Sequence, residues 1–360
     1  MKPILTALDL PAASPGGSVE LLHDLYGGTN PLIAARLFML HDDRPTRPPI
    51  ETLKVSGKCL TGHRFWTYVQ ALSTALATHV KPTNVAITHL QHLTFGATPA
   101  LLYTLPRHPS IALVHGTDLL TATSNRTQRQ VLRQSAHRAT AIVVPTPAMA
   151  DRLRRLAPNL DIAKVEHIPW GIPDHLLHRP PTSPRTYDRP FSLLYAGRLT
   201  SEKGVGVLAT ACANNRNMTL SIAAPAAEYA KFAEQLRKAD CEHHYLGWLD
   251  RSQLWDTFDE HDALAVPSTA LEAFGLVAVE AQACGLPVLY QPVPGLIDVL
   301  GDTALPTDFT NPDALASALR TLRNDPTARA ELRTVGLSNA RRFPISSTAQ
   351  ALTVLGNQIA

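Results

Sequence analysis

The sequence predicts an α/β protein built from two doubly wound, parallel-sheet domains. Apolar strands alternate with helix-like segments along nearly the whole chain, and 360 residues exceed what a single typical core holds. A proline-rich stretch without apolar periodicity interrupts the alternation at 171–189. We therefore expect domains at 1–170 and 190–340, a linker between them, and a C-terminal segment at 341–360.

Composition indicates a soluble globular protein. Hydrophobic residues make up 45 % and charged residues 18 %, and no apolar run is long enough to cross a bilayer. The first residues predict a strand and a turn instead of a secretion signal, so we expect a cytoplasmic enzyme. The four cysteines are widely spaced and predict reduced core residues, not a zinc site.

The charge is unevenly distributed. Residues 1–169 carry a net charge of +7 and the remainder −4. A basic first half could face an anionic partner or a membrane surface, or it could reflect solvated arginine faces on ordinary helices. No segment has the interleaved basic and aromatic residues of a nucleic-acid module.

The first strand, about Ile4 to Leu8, leads to a helix that opens at Gly16 and Gly17. Free N–H groups at such a helix start can receive a phosphate, although a Gly-Gly pair is also common in plain turns. The pattern is not G-x-G-x-x-G, which disfavours a nicotinamide-binding domain.

Two corners in the first half carry polar side chains at predicted strand ends. The first, HLQHLTFG, contains His89, Gln91 and His92. Buried histidines are usually structural, but this position also suits acceptor binding. The second, HGTDLL, places His115 directly after a strand at 111–114, and Asp118 would cap the next helix. Continuing to a helix at Pro147, the alternation predicts seven strands.

The second domain opens with a strand that ends at Gly197. Arg198 and Lys203 follow in the loop, before a helix that starts near Gly204. Two cations beside a helix start would suit a diphosphate and would stabilise it as a leaving group. Loop cations can also simply be solvated.

The stretch AVPSTALEAFGLVAVEAQACGLPVL, residues 265–289, predicts a strand, a polar loop, a helix and a parallel strand. Glu272 lies in the loop and Glu280 in the second turn of the helix. Carboxylates at this edge can each accept two hydroxyl hydrogen bonds from a sugar or ribose. Because the helix is apolar nearly all round, Glu280 needs a partner.

The nine residues from Glu272 to Glu280 resemble the E-x7-E element of retaining glycosyltransferases of the GT-B fold, in particular family 4. The resemblance implies two Rossmann-like domains facing a central cleft, with a C-terminal helix that packs back on the first domain. It also implies that Glu272 and the following Phe274, Gly275 and Leu276 contact the donor hexose, and that Glu280 binds the ribose.

The resemblance extends to GRL-x3-KG, residues 197–204, and implies that Arg198 and Lys203 bind the donor diphosphate. It further implies donor contacts at Gly16, Gly17 and Leu249, and a catalytic role for His115 under the transferred sugar. PVPGLIDVL departs from the family pattern at Pro294 and Asp298, and we assign Asp298 no role.

The two polar corners, HLQHLTFG and HGTDLL, resemble most closely the enzymes that add N-acetylglucosamine to 2-deoxystreptamine in antibiotic biosynthesis. HGTD also resembles malate-glycosylating members. We therefore expect UDP-GlcNAc as donor and a small aminocyclitol as acceptor. The expected acceptor-binding residues are Ser18, His89, Gln91, His92 and Asp118, with the Asp118 carboxylate offered to an amine.

No D-x-D pair occurs in the sequence, so we expect no metal and no cofactor beyond the nucleotide sugar. No enzyme nucleophile is evident, which agrees with the family's same-face attack. Alternatives are an anionic or lipid-linked acceptor at a membrane surface, a sugar-nucleotide epimerase of the same fold, and a non-catalytic binding protein. Oligomeric state is open.

Overall fold

The computed structural model describes residues 3–42, 50–180, 190–213, 215 and 217–360. Residues 181–189 of the predicted linker lie outside these ranges. The described chain divides into two compact units. The first comprises 1–14, 18–170 and 345–360, and the second comprises 15–17 and 171–344.

Within the described residues, the first unit contains one seven-stranded parallel sheet of order β3-β2-β1-β4-β5-β6-β7. Its strands are β1 Ile4–Pro11, β2 Ala35–Leu40, β3 Ile50–Leu53, β4 Thr88–Gln91, β5 Ser110–Leu113, β6 Ala141–Val144 and β7 Val165–His167. Its helices are α1 Gly17–Tyr26, α2 Gly62–His79, α3 Ala97–Thr104, α4 Thr117–Ser124, α5 Arg126–Arg138, α6 Pro147–Leu156 and, from the end of the chain, α15 Ile345–Ile359.

The strands β4, β5 and β6 of this sheet are buried at every position. This is the pattern of parallel strands covered by helices on both faces. Strand order reverses between β1 and β4, which are hydrogen-bonded neighbours. The loops that follow these two strands therefore begin at the point where doubly wound sheets bind ligands.

Within the described residues, the second unit contains a six-stranded parallel sheet of order β10-β9-β8-β11-β12-β13. Its strands are β8 Phe191–Ala196, β9 Met218–Ala223, β10 His243–Gly247, β11 Ala263–Val266, β12 Val288–Tyr290 and β13 Leu305–Pro306. Its helices are α7 Asp174–Leu177, α8 Val205–Ala213, α9 Ala226–Lys238, α10 Arg251–Phe258, α11 Leu276–Ala283, α12 Leu296–Leu300, α13 Pro312–Asn324 and α14 Pro326–Ala340.

The α/β prediction with two parallel sheets is confirmed, and β11 and β12 pair in parallel as predicted. In this sheet the order reverses between β8 and β11. The loop carrying Arg198 and Lys203 follows β8, and the loop carrying Glu272 follows β11. Adjacent strands therefore place the predicted cations and the predicted carboxylate at one edge.

One local prediction was wrong. Asp118 does not cap α4, because Gly116 occupies the N-cap position with φ of +88° and Asp118 lies within the first helical turn. The tight turn after β5 requires a positive φ at the N-cap position. Glycine adopts this conformation without strain, whereas aspartate does not, so Gly116 is the N-cap residue.

Candidate active site

Lys203 and Glu272 form the centre of the second unit's polar edge. The Lys203 ammonium lies 2.5 Å from Glu272 Oε2, and the Ser268 hydroxyl donates to the same oxygen at 3.0 Å. The lysine side chain remains about one-third exposed. This arrangement offers an anionic ligand a cation that is already oriented by a carboxylate.

Two glycines allow the loops at this edge to approach closely. Gly204 has φ of +71°, and a Cβ there would lie 1.7 Å from the carbonyl oxygen of Pro267. Gly295 has φ of +90°, and a Cβ there would lie 1.7 Å from the Glu272 carbonyl oxygen. Neither position has room for a side chain. The close approach of the backbones fixes the backbone positions of Lys203 and Glu272.

Arg198 is held by Glu228 from α9. Its Nε and Nη2 donate to Glu228 Oε1 at 2.9 and 2.8 Å, and the Leu199 amide donates to Oε2 at 2.6 Å. A cavity of about 820 Å³ is lined by Arg198, by the start of α8 and by Thr269. The guanidinium is half exposed, so it can still contact a ligand.

Glu280 is buried on α11 and its two oxygens are partnered. Arg251 donates to Oε1 through Nε at 3.1 Å and also through Nη2, while Trp255 Nε1 donates to Oε2 at 3.2 Å. His175 packs edge-on against Trp255, with ring centroids 5.3 Å apart. The predicted need for a partner is therefore met by two residues of α10.

The other predicted donor contacts are Phe274, Gly275, Leu276 and Leu249. Phe274 is buried, and its ring packs edge-on against that of Phe343. Gly275 caps α11 in a left-handed conformation and Leu276 is the first helical residue. Leu249 is half-buried in the turn between β10 and α10.

In the first unit, His115 lies two residues after β5 and is 8 % exposed. Its Nε2 lies 3.0 Å from Gln91 Oε1, and its ring lies 4.4 Å from that of His92 and stacks on Trp170 at 5.7 Å. Burial, together with neighbouring His92, lowers the pKa of His115 well below its ordinary value. The imidazole is therefore neutral at physiological pH.

His89 and His92 are more deeply buried. Burial lowers the pKa of His89 to about 4 and that of His92 to about 3. Tyr26 contacts His89 Nδ1 at 2.8 Å, so His89 is bound within the core below the sheet edge. Both rings are buried, and acceptor binding by either of them stays a prediction.

Asp118 is completely buried. Its Oδ2 accepts the Leu93 amide at 3.0 Å and its Oδ1 the Leu119 amide at 3.1 Å. Burial raises its pKa to about 6, against the lowering effect of these backbone hydrogen bonds. Asp118 thus fixes the corner after β4, and the prediction that it meets an acceptor amine directly does not fit this geometry.

Gly16, Gly17 and Ser18 form the start of α1 as predicted. Gly16 has φ of +138°, a value that favours glycine. Residues 15–17 group with the second unit, whereas Ser18 belongs to the first. Gly16 and Ser18 are half-buried and Gly17 is exposed.

Some residues in the site were not predicted. Each of them contacts a predicted residue. They are Glu228 at Arg198, Arg251 and Trp255 at Glu280, Trp170 at His115, and Thr6 at Gln91. Trp255 and Arg251 had one available signal, because an apolar helix carrying Glu280 demands donors from a neighbouring element.

Among the described residues, no three His, Cys, Asp or Glu side chains are grouped so that they could hold a metal ion. Among the same residues, every helix is too short or too polar to cross a membrane.

The two halves of the chain match different family models. Residues 15–176 match the family described as "Glycosyltransferase Family 4", and residues 181–340 match "Glycosyl transferases group 1". Together the two matches extend over most of the chain.

Curated relatives are similar over part of their length. A D-inositol 3-phosphate glycosyltransferase of Corynebacterium glutamicum is 35 % identical over 45 % of this chain and 42 % of its own length. One from an Arthrobacter strain is 30 % identical over 59 % and 54 %. A glycogen synthase of Mycobacterium tuberculosis is 35 % identical over 40 % and 36 %. The chain thus spans between about a third and about a half of the length of these relatives.

Solved structures show the same fold over the full chain. Sucrose-phosphate synthase from Thermosynechococcus elongatus has a TM-score of 0.84 at 19 % identity and covers 99 % of both chains. Anabaena HepE in complex with UDP and glucose has a TM-score of 0.77 at 18 % identity, covering 99 % of this chain and 100 % of that one. The chain therefore shares its fold with these structures, and its first half is similar to glycosyltransferase family 4 and its second half to glycosyl transferases group 1.

Proposed function

We propose that the protein is a retaining glycosyltransferase that transfers N-acetylglucosamine from UDP-GlcNAc to a hydroxyl of a small cyclitol. The observation that supports this most strongly is the contact of Lys203 with Glu272 at the carboxyl edge of the second sheet. The printed title of the HepE structure names UDP and glucose as its ligands, which supports a uridine nucleotide sugar here.

The two cations suit the departing diphosphate. The bond between the anomeric carbon and the diphosphate oxygen breaks while the acceptor oxygen attacks the same face, and the diphosphate takes up the acceptor's proton. Lys203, Arg198 and the start of α8 would stabilise the negative charge that develops. Glu272 would bind hexose hydroxyls, Glu280 the ribose, and His115 would position the sugar.

An aminocyclitol such as 2-deoxystreptamine is the first candidate acceptor, because HLQHLTFG and HGTDLL resemble enzymes that use it. A phosphorylated cyclitol is the second. Several relatives are named D-inositol 3-phosphate glycosyltransferases, and residues 1–169 carry a net charge of +7. The burial of Asp118 also removes the carboxylate that we had expected to bind an amine.

A sugar-nucleotide epimerase of the same fold is the alternative from another class. Such an enzyme would convert UDP-GlcNAc in the absence of any acceptor. A non-catalytic binding protein would bind UDP without consuming the donor.

The test is mass-spectrometric turnover of UDP-GlcNAc with 2-deoxystreptamine, inositol, inositol 3-phosphate and malate, all in excess EDTA. Glycosylation of a cyclitol in EDTA supports the proposed reaction and its independence from metal. Donor loss without acceptor would indicate the epimerase. UDP binding without turnover of any sugar nucleotide would contradict the enzymatic proposal.

A further inference from the structure

A directed chain of hydrogen bonds leads from the core of the first sheet to His115. It starts at Thr6 on β1, which pairs in register with His89 on β4. The Thr6 hydroxyl donates to the His89 carbonyl oxygen at 2.8 Å. Since a hydroxyl has one hydrogen, Thr6 Oγ1 can then only accept from other partners.

The Gln91 amide continues the chain. Its Nε2 donates to Thr6 Oγ1 at 3.0 Å, which turns Oε1 toward His115 Nε2, also at 3.0 Å. A carbonyl oxygen has no hydrogen to donate, so His115 Nε2 must carry one. All these polar groups are buried, where an unmade hydrogen bond is costly.

The opposite amide orientation would reverse this result. The Gln91 Oε1 atom would face Thr6, and Thr6 would have to abandon the His89 carbonyl to donate to it. His115 Nε2 would then accept from the amide, and the ring hydrogen would move to Nδ1. The Thr6 hydroxyl, whose hydrogen is donated to the His89 carbonyl, thus favours the first of the two tautomers.

We propose that Thr6 and Gln91 are positioning residues that hold His115 in the Nε2–H tautomer, with the Nδ1 lone pair available to accept a hydrogen bond from a ligand hydroxyl. Neither is a catalytic residue, since each acts through His115. That the ligand is a sugar rests on the proposed function, whereas the tautomer depends only on the hydrogen bonds within the first unit.

The experiment is a two-bond ¹H–¹⁵N correlation spectrum of the full chain with ¹⁵N-labelled histidine. His115 is assigned by the signal lost in His115→Asn. We expect a protonated Nε2 and an unprotonated Nδ1 in an excess of at least about tenfold, the scale that one buried hydrogen bond supplies. A spectrum with Nδ1 protonated would overturn the proposal.

Two matched variants test the source of the preference. Thr6→Val removes the acceptor for the Gln91 amide, and we expect the second tautomer to become measurable. Thr88→Val makes the same change on neighbouring β4 and should retain the parent spectrum. Among the described residues, the Thr88 hydroxyl bonds only to the Pro109 carbonyl. Gln91→Leu should also mix the tautomers and serves if Thr6→Val does not fold.

An unchanged His115 spectrum in a folded Thr6→Val or Gln91→Leu protein would contradict the inference. These measurements need no donor or acceptor, so they do not depend on the transfer assay. If the transfer assay fails and His115 has the expected tautomer, the proposed reaction is rejected. If the enzyme is active and His115 has the opposite tautomer, only the proposed roles of Thr6 and Gln91 are rejected.

Discussion

At the scale of single residues, Lys203 carries the strongest functional expectation. Lys203→Ala should lower kcat/KM for glycosyl transfer by about 10²-fold, because it removes a cation that would stabilise the leaving diphosphate. Initial rates at limiting UDP-GlcNAc provide the measurement. Lys238→Ala is the matched control, since that lysine pairs with Glu234 on an exposed helix face. Equal activity of both variants would refute the proposed role.

Glu280 should make the protein bind a ribonucleotide more tightly than the matching 2′-deoxyribonucleotide. Glu280→Gln should weaken UDP binding about tenfold, because charge-assisted hydrogen bonds to ribose hydroxyls are lost. Calorimetry with UDP and 2′-deoxy-UDP separates this from general damage: the parent protein should prefer UDP, and the variant should lose most of that preference. The exposed Glu234→Gln is the control. An unchanged preference in Glu280→Gln would contradict the ribose assignment.

Asp118 should make stability depend on pH. Its pKa is about 6 in the folded protein and about 3.9 in an unfolded chain, so the folded state binds more protons between these values. The free energy of unfolding should therefore fall by about 2 kcal/mol as pH rises from about 4 to about 6, and change little from this source above about pH 7.

Urea unfolding of the parent protein and Asp118→Asn across this range measures the effect, because other groups cancel in the difference. Asp151→Asn, on the exposed face of α6, is the control. A difference between parent and Asp118→Asn that does not vary with pH would exclude the effect.

The sequence indicated the chemistry of residues better than their partners. An apolar helix around Glu280 correctly required a partner, but Arg251 and Trp255 come from α10, about 25 to 29 positions earlier. Their approach depends on how α10 and α11 pack, which local sequence does not determine. Asp118 shows the reverse error, since the sequence places a polar residue near a helix start without indicating that it is buried.

At the scale of elements, Gly204 controls the approach of two loops. Gly204→Ala would place a Cβ 1.7 Å from the Pro267 carbonyl oxygen, so the loop carrying Lys203 must shift. We expect it to lower the free energy of unfolding by at least about 2 kcal/mol more than Gly247→Ala. Gly247 also has positive φ, but a Cβ there meets no atom within 4 Å. Equal losses would show that backbone strain alone accounts for both.

Element positions were predictable where an apolar strand is bounded by a clear turn signal. The strands β1, β5 and β11 were placed within a few residues for this reason. The short strands β7 and β13 have three and two residues and lie at sheet edges. Such segments have too little pattern to be recognised, and only pairing with a neighbour defines them.

At the scale of the whole molecule, the two units assemble their sites in the same way. In each sheet the strand order reverses beside a loop with polar residues, between β1 and β4 in one and between β8 and β11 in the other. Sequence alternation predicted both sheets but not the pairs Lys203–Glu272 and Gln91–His115, which are 69 and 24 positions apart. These pairs form because of the order of the strands in each sheet. The resemblance to a known fold predicts that order, whereas the local sequence pattern does not.

The central claim is that the protein transfers a hexose with retention of configuration. The most direct measurement is the ¹H NMR spectrum of the product formed from UDP-GlcNAc and the cyclitol that gives turnover. Our account predicts the small H1–H2 coupling of an α-glycoside, matching the α-linked donor. The large coupling of a β-glycoside would show inversion and contradict the account.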